Sequence, residues 1–99
     1  MYGIKFVKNI KSESYKLYIC SQYICSVKEK DLISNYDDFF EDPMNPSGIL
    51  VNILNSIERV KKDGFKIDEY TNIKSIRQEV ILEVVDLFER VHDENSHNK

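Results

Sequence analysis

The spacing of the apolar residues changes near residue 28, and this change restricts the possible folds more than any other feature. Before it, apolar side chains alternate with polar ones or lie in β-branched and aromatic runs, which favours strands. After it, they recur at helical spacing, as in helices that pack along one side. A chain of 99 residues with 41% apolar content can bury one core, so we expect a single domain.

Two stretches before residue 28 predict strands. In "YGIKFVK", Ile4 and Phe6 alternate with lysines, and the polar stretch "KNIKSES" that follows suits a turn. Residues 15–27, which include "YICSQYICS", predict one long strand or two short ones. Residues 65–70, in "GFKIDEY", are a candidate for a further short strand that returns to the sheet.

The first apolar stripe predicts a helix over residues 28–41. Ser26 and Glu29 have the spacing of a capping box at its start. Pro43 ends it, because the residue before a proline is pushed out of the helical region.

Two further stripes predict a second helix, from Asn45 as N-cap to the residues before Gly64, and a last helix over residues 73–91. The last stripe is wide enough to pack against both a sheet and a helix, or to add an apolar contact in a dimer. We therefore predict an α+β domain over residues 1–92, with a small antiparallel sheet from the N-terminal half packed against three helices. Residues 93–99 have no apolar anchor, so we expect this tail to fray.

No residue pattern indicates catalysis, a cofactor or a metal site. His92 and His97 lie near the C-terminus outside any recognisable acid–base motif, and Cys20 and Cys25 lack the paired spacing of a zinc site. No apolar run reaches the length of a membrane span, and lysines interrupt the first apolar stretch, which argues against a signal peptide. We therefore expect a cytoplasmic protein that is not an enzyme.

The net charge of −3 hides a division of charge along the chain. Residues 1–30 hold six lysines and two acids, whereas residues 31–45 hold five acids and no base. Opposed patches can steer a charged protein partner, although simple solvation of surfaces by charge is the alternative. The absence of a strongly basic face with a sequence-reading motif argues against direct nucleic-acid binding. The lysines near Tyr15, Tyr18 and Tyr23 leave contact with a nucleic-acid backbone open, but lysines on edge strands more often prevent edge-to-edge pairing.

The segment "YDDFFEDPMNPSGI" sets four acids around two adjacent phenylalanines. These four acids gather at the C-terminal end of the predicted helix, where acids oppose the macrodipole and cost about 0.3–1 kcal/mol each before screening. Residues that go against the local preferences of a helix often mark a functional site. Carboxylates at this end of the helix suit a basic partner surface. Phe39 and Phe40 share the apolar face of the predicted helix, which favours core packing over partner contact.

The same region resembles the immunity proteins of nuclease colicins and pyocins. "PSGI", residues 46–49, is followed after fourteen residues by "GFK", residues 64–66, and that family has a similar helix start and terminal motif at similar spacing. The family also has an acidic helix and an adjacent tyrosine pair, where this chain has Phe39 and Phe40. Its members are all-helical and end near Gly-Phe-Lys, whereas this chain begins with strand-like sequence and continues past Lys66. Because they bind and neutralise a basic nuclease domain, the resemblance implies a toxin antidote, in this family or among immunity proteins of polymorphic and contact-dependent toxins.

We therefore predict an immunity protein that binds a cognate bacterial toxin, with a nuclease as the expected class, and blocks its basic substrate-binding surface. The alternatives are a phage-type or regulatory inhibitor of a nucleic-acid-binding protein, and a homodimeric structural or regulatory domain that associates through helix 73–91. We expect no cofactor, no metal and no membrane contact. The expected partner-binding residues are Asp37, Asp38, Phe39, Phe40, Glu41, Asp42 and Ser47.

Overall fold

The computed structural model describes residues 3–43, 45, 48–62 and 73–97. Its elements, in chain order, are β1 (Ile4–Asn9), β2 (Ser14–Ile19), β3 (Gln22–Lys28), α1 (Glu29–Ser34), α2 (Tyr36–Glu41), α3 (Ile49–Lys62) and α4 (Ile73–His97). The three strands form one antiparallel sheet in the order β1-β2-β3. The predicted α+β class, with a small antiparallel sheet from the N-terminal half, is confirmed. The candidate strand over residues 65–70 lies outside the described residues.

The run over residues 15–27 forms two strands joined by a two-residue turn. Cys20 and Ser21 occupy this turn with φ values of 52° and 68°. Positive φ at both central residues is the mark of the type I′ turn, whose twist matches that of the strands on either side. Cys20 is therefore exposed at the tip of a hairpin.

A bulge in β3 changes which of its side chains reach the core. Leu17 is paired with Cys25, but its neighbour Tyr18 is paired with Tyr23, so Ile24 is an extra residue in β3. An extra residue reverses the alternation of the strand. The side chain of Ile24 is buried as a result, while Tyr23 remains exposed.

The helices pack against one face of the sheet and enclose the core. α1 and α3 contact β3, and α4 contacts β1, α1 and α3. The wide apolar stripe of α4 supplies the largest share of the core, because it is used on both the sheet side and the helix side. The buried core side chains include Tyr15, Leu17 and Ile19 from β2, Leu32 and Phe39 from α1 and α2, Leu50, Ile53 and Ile57 from α3, and Ile76, Val80, Val84, Leu87, Phe88 and Val91 from α4.

The prediction of one continuous helix over residues 28–41 is wrong, because the chain forms two six-residue helices that meet at Asn35. The Asn35 backbone lies outside the helical region, with φ −102° and ψ 10°, and its side-chain amide donates to the Asp31 carbonyl oxygen at 2.8 Å. A side chain that bonds its own backbone competes with the helix ladder. The predicted capping box is also wrong: no side chain caps α1, and Ser26 lies in β3 with its hydroxyl bonded to that of Tyr23 at 2.8 Å.

The other two predicted helices are present, but α3 starts later than predicted and α4 ends later. α3 begins at Ile49, after a turn in which the Gly48 amide donates to the Asn45 carbonyl oxygen at 2.8 Å. α4 continues to His97, beyond the predicted end at residue 91. Fraying of residues 93–99 stays a prediction.

Candidate functional site

The acidic segment is carried on α2 and the residue that follows it. Its four carboxylates are exposed, and we call them the acidic surface: Asp37, Asp38, Glu41 and Asp42. α2 has only six residues, and short helices depend on packing rather than on their own propensity. The position of the carboxylates is therefore set by what holds α2 in place.

A buried aromatic stack anchors α2 to α4. The Phe39 side chain is only 6% exposed, and its ring lies on that of Phe88 with 4.2 Å between centroids and 9° between planes. Phe88 is fully buried. Phe39 therefore holds the acidic surface in place from beneath and does not itself form part of the exposed surface.

Phe40 occupies a different position from Phe39. Its side chain is 42% exposed, and its ring lies 4.8 Å from that of Tyr36 and edge-on to that of Phe39 at 5.0 Å. The three rings restrain one another, so Phe40 is an ordered apolar group beside four carboxylates. Among the two phenylalanines predicted to contact a partner, Phe40 is the one with accessible surface.

Tyr36 and His92 form a contact that the sequence pattern did not indicate. Their rings are stacked with 4.0 Å between centroids and 13° between planes. The sequence contained one indication of this contact, because His92 lies four residues after Phe88. If α4 continues to residue 92, both side chains project from the same face of the helix. Our expected end at residue 91 excluded it. The Tyr36–His92 and Phe39–Phe88 stacks together fix α2 at two points.

A small cleft of about 60 Å³ lies beside the acidic surface. Asp38 and Asp42 line it together with Asn35, and the rings of Phe39 and Phe88 line its apolar part. The cleft combines two carboxylates with an apolar wall, which suits the end of a single basic side chain. The predicted site residue Ser47 lies outside the described residues.

The break at Asn35 changes the electrostatic argument for the acidic surface. Asp37 and Asp38 lie in the first turn of α2, where acids complement the macrodipole. Glu41 ends α2, and Asp42 follows as the C-cap residue, with its amide donating to the Asp38 carbonyl oxygen at 3.0 Å. Only Glu41 and Asp42 therefore stand at the unfavourable end of a helix, and the prediction that all four acids do so is wrong.

Comparisons of the chain with protein-family models, with curated proteins and with solved structures find no match. Across the described ranges, no helix has both the length and the apolar character needed to cross a membrane. Within the same ranges, no group of three or more His, Cys, Asp or Glu side chains is arranged to hold a metal ion.

Proposed function

We propose that this chain is an immunity protein that binds a cognate bacterial toxin, with a nuclease as the expected class, through the acidic surface. The observation that carries the proposal is the presentation of four exposed carboxylates on a short helix and the residue that follows it, with the helix anchored to the core by the Phe39–Phe88 stack. The resemblance of "PSGI" and "GFK" to the immunity proteins of nuclease colicins and pyocins supports the choice of partner.

The arrangement suits a basic partner for physical reasons. Carboxylates spread around an exposed ring attract lysines and arginines over a distance and so speed encounter. The half-exposed ring of Phe40 gives the centre of the surface an apolar group that a partner can desolvate, as interface hot spots require. A nuclease must present a basic surface to phosphates, and the acidic surface would block it in place of nucleic acid.

The cleft between Asp38 and Asp42 would receive one lysine side chain of the partner. Its ammonium would approach the two carboxylates, and its methylene groups would lie along Ile49, the partly buried apolar residue of the cleft. A rigid cleft reduces the entropy cost of binding compared with carboxylates on a flexible loop.

Co-purification from native cells tests the proposal. The tagged chain is recovered at moderate and at high salt, and bound proteins are identified by mass spectrometry. We expect a basic toxin domain that is lost as the salt concentration rises. The proposal fails if the chain is recovered alone, or with partners that carry no basic surface.

A pair of variants assigns the binding to the acidic surface. One neutralises it with Asp37→Asn, Asp38→Asn, Glu41→Gln and Asp42→Asn. The matched control neutralises four acids outside α2 with Glu13→Gln, Glu58→Gln, Glu83→Gln and Asp86→Asn, two of which lie in exposed ion pairs worth little to stability. We expect the first variant to lose the partner and the control to keep it, and equal recovery with both would remove the basis of the proposal.

The inhibitor of a nucleic-acid-binding protein remains an alternative that uses the same surface. The neighbouring genes distinguish it, because a toxin gene beside this one favours immunity and phage genes favour the inhibitor. The homodimer alternative requires an apolar contact surface on α4. Leu82 on α4 is 68% exposed, but the apolar side of the helix already packs within the chain. Sedimentation at micromolar concentration tests this alternative, since it requires a stable dimer.

A further inference from the structure

The sheet face opposite the helices gathers lysines and tyrosines on strands that contain no acidic residue. Alternation along the strands, with the bulge at Ile24 taken into account, assigns this face its residues. We call it the outer sheet face: Lys5, Val7 and Asn9 from β1, Ser14, Lys16 and Tyr18 from β2, and Tyr23, Ser26 and Lys28 from β3. None of the three strands contains Asp or Glu.

The strand register places the three lysines on a diagonal. Lys5 lies in one cross-strand row with Tyr18, Lys16 lies in the next row, and Lys28 lies in the row after that. From ordinary strand spacing, successive lysine Cα atoms on this diagonal are about 8 Å apart. Of the acids next to the strands, Glu29 pairs with Lys8 at 3.6 Å. Among the described residues, no carboxylate forms an ion pair with Lys5, Lys16 or Lys28.

Two tyrosine rings lie beside this diagonal. Tyr18 and Tyr23 are 5.9 Å apart between centroids and meet edge to face at 65°, an arrangement that leaves both faces of one ring uncovered by the other. Tyr23 is 45% exposed, and its hydroxyl is bonded to Ser26 at 2.8 Å, which holds the ring in place. Val7 on the same face is 46% exposed.

Protection of sheet edges does not account for this surface. Lysines prevent edge-to-edge pairing when they stand on edge strands. Lys16 lies on β2, which is the central strand. The sequence argued against nucleic acid because no basic face was evident, and the register of the sheet now supplies one.

We propose that the outer sheet face binds single-stranded nucleic acid, with Lys5, Lys16 and Lys28 contacting phosphates and Tyr18 and Tyr23 stacking on bases. A single strand of nucleic acid is the favoured polyanion because its unpaired bases can stack on the tyrosine rings. An acidic polypeptide has no bases to stack there. The proposal does not depend on toxin binding, since it uses no residue of the acidic surface.

Fluorescence anisotropy with a labelled oligothymidine of about 15 nucleotides and with its duplex counterpart tests the proposal. We expect the single strand to bind more tightly than the duplex. Because three lysines contact phosphates, the logarithm of the association constant should fall with the logarithm of salt concentration at a slope of about −2. No binding to the single strand at low salt would overturn the proposal.

Two sets of variants assign the contacts. The triple variant Lys5→Gln, Lys16→Gln, Lys28→Gln should abolish binding, whereas the matched triple variant Lys30→Gln, Lys61→Gln, Lys62→Gln in α1 and α3 should keep it within about twofold. Tyr23→Ala should weaken binding about tenfold, and Tyr23→Phe should preserve it because the stacking ring remains. Far-UV circular dichroism verifies the fold of each variant. If Tyr23→Ala does not fold, the comparison of the two lysine triple variants tests the proposal.

Equal losses in the two lysine triples would mean that net charge alone attracts the oligonucleotide, and would overturn the proposal. Competition by polyglutamate as effective as that by unlabelled oligothymidine would assign the face to an acidic protein instead. Amide shifts in an NMR titration give an independent readout, with changes expected at Lys5, Lys16, Tyr18 and Tyr23.

Discussion

At the scale of single residues, two adjacent phenylalanines have different roles. Phe39 is 6% exposed and stacks on Phe88, whereas Phe40 is 42% exposed beside the carboxylates. Both fall on the apolar stripe of the sequence, which is why spacing alone assigned them the same face. The difference arises because adjacent residues of a helix project in different directions, and the direction of Phe39 leads to Phe88 on α4.

The two positions should respond differently to truncation. Phe39→Ala removes a buried ring from the stack with Phe88, so we expect the free energy of unfolding to fall by about 3 kcal/mol or more. Phe40→Ala should lower it by no more than about 1 kcal/mol, because much of that ring is already in water. Urea unfolding measures both, with Phe39→Leu as a milder substitution if Phe39→Ala does not fold. Equal losses at the two positions would contradict this assignment.

At the scale of elements, the hairpin between β2 and β3 is built on a turn with an unusual sequence. Cys20 and Ser21 both have positive φ, where residues with a β-carbon are strained and Asn-Gly is preferred. The stretch "YICSQYICS" therefore contains no conventional turn signal. Strand pairing on both sides of the turn, together with the core beneath Leu17 and Ile19, imposes the conformation.

Ser21→Gly should stabilise the chain by about 1 kcal/mol, since glycine adopts positive φ without the steric penalty. Ser21→Ala is the matched control and should give no gain, because it keeps the β-carbon. Thermal unfolding of the three proteins measures the difference. A loss of stability in Ser21→Gly would show that the serine side chain, rather than its backbone conformation, matters at this position.

Helices with long apolar stripes were predictable, and local breaks were not. The stripes of α3 and α4 specify helices because buried side chains recur at helical spacing over many residues. The break at Asn35 is a change in the backbone of one residue, whose side-chain amide also bonds the Asp31 carbonyl oxygen, and the bulge at Ile24 depends on a partner strand. The acidic surface followed directly from the sequence, whereas its anchors at Phe88 and His92 come from distant positions on α4.

At the scale of the whole molecule, two side chains of the sheet make the stability of the fold depend on alkaline pH. Burial raises the pKa of the Cys25 thiol and of the Tyr15 hydroxyl. Each of these two groups therefore loses its proton at a lower pH in the unfolded chain than in the folded chain. At a pH between the unfolded-state pKa and the folded-state pKa of a group, the folded chain holds more protons. The free energy of unfolding must then fall as pH rises above about 8.5, where unfolded cysteine begins to ionise.

Cys25→Ala should flatten this fall between about pH 8.5 and pH 10, because it removes the buried thiol. Urea unfolding at several pH values gives the slopes. A slope that is the same in Cys25→Ala and in the unsubstituted chain would contradict the assignment of this titration to Cys25.

The molecule also separates its charges, because the outer sheet face carries lysines and the acidic surface lies on α2 and the residue after it. A basic partner approaching this field would be attracted to α2 and repelled from the outer sheet face, so the charge pattern orients the encounter. Steering of this kind acts on the association rate more than on the dissociation rate.

The salt dependence of the association rate tests the central claim most directly. The rate is measured with the co-purified partner for the unsubstituted chain, for the variant of Asp37, Asp38, Glu41 and Asp42, and for the matched control. We predict that association of the unsubstituted chain and the control slows by about tenfold or more as salt rises from about 0.05 M to 0.5 M, and that the acidic-surface variant associates slowly at every salt concentration. Equal rates and equal salt dependence in all three proteins would contradict binding through the acidic surface.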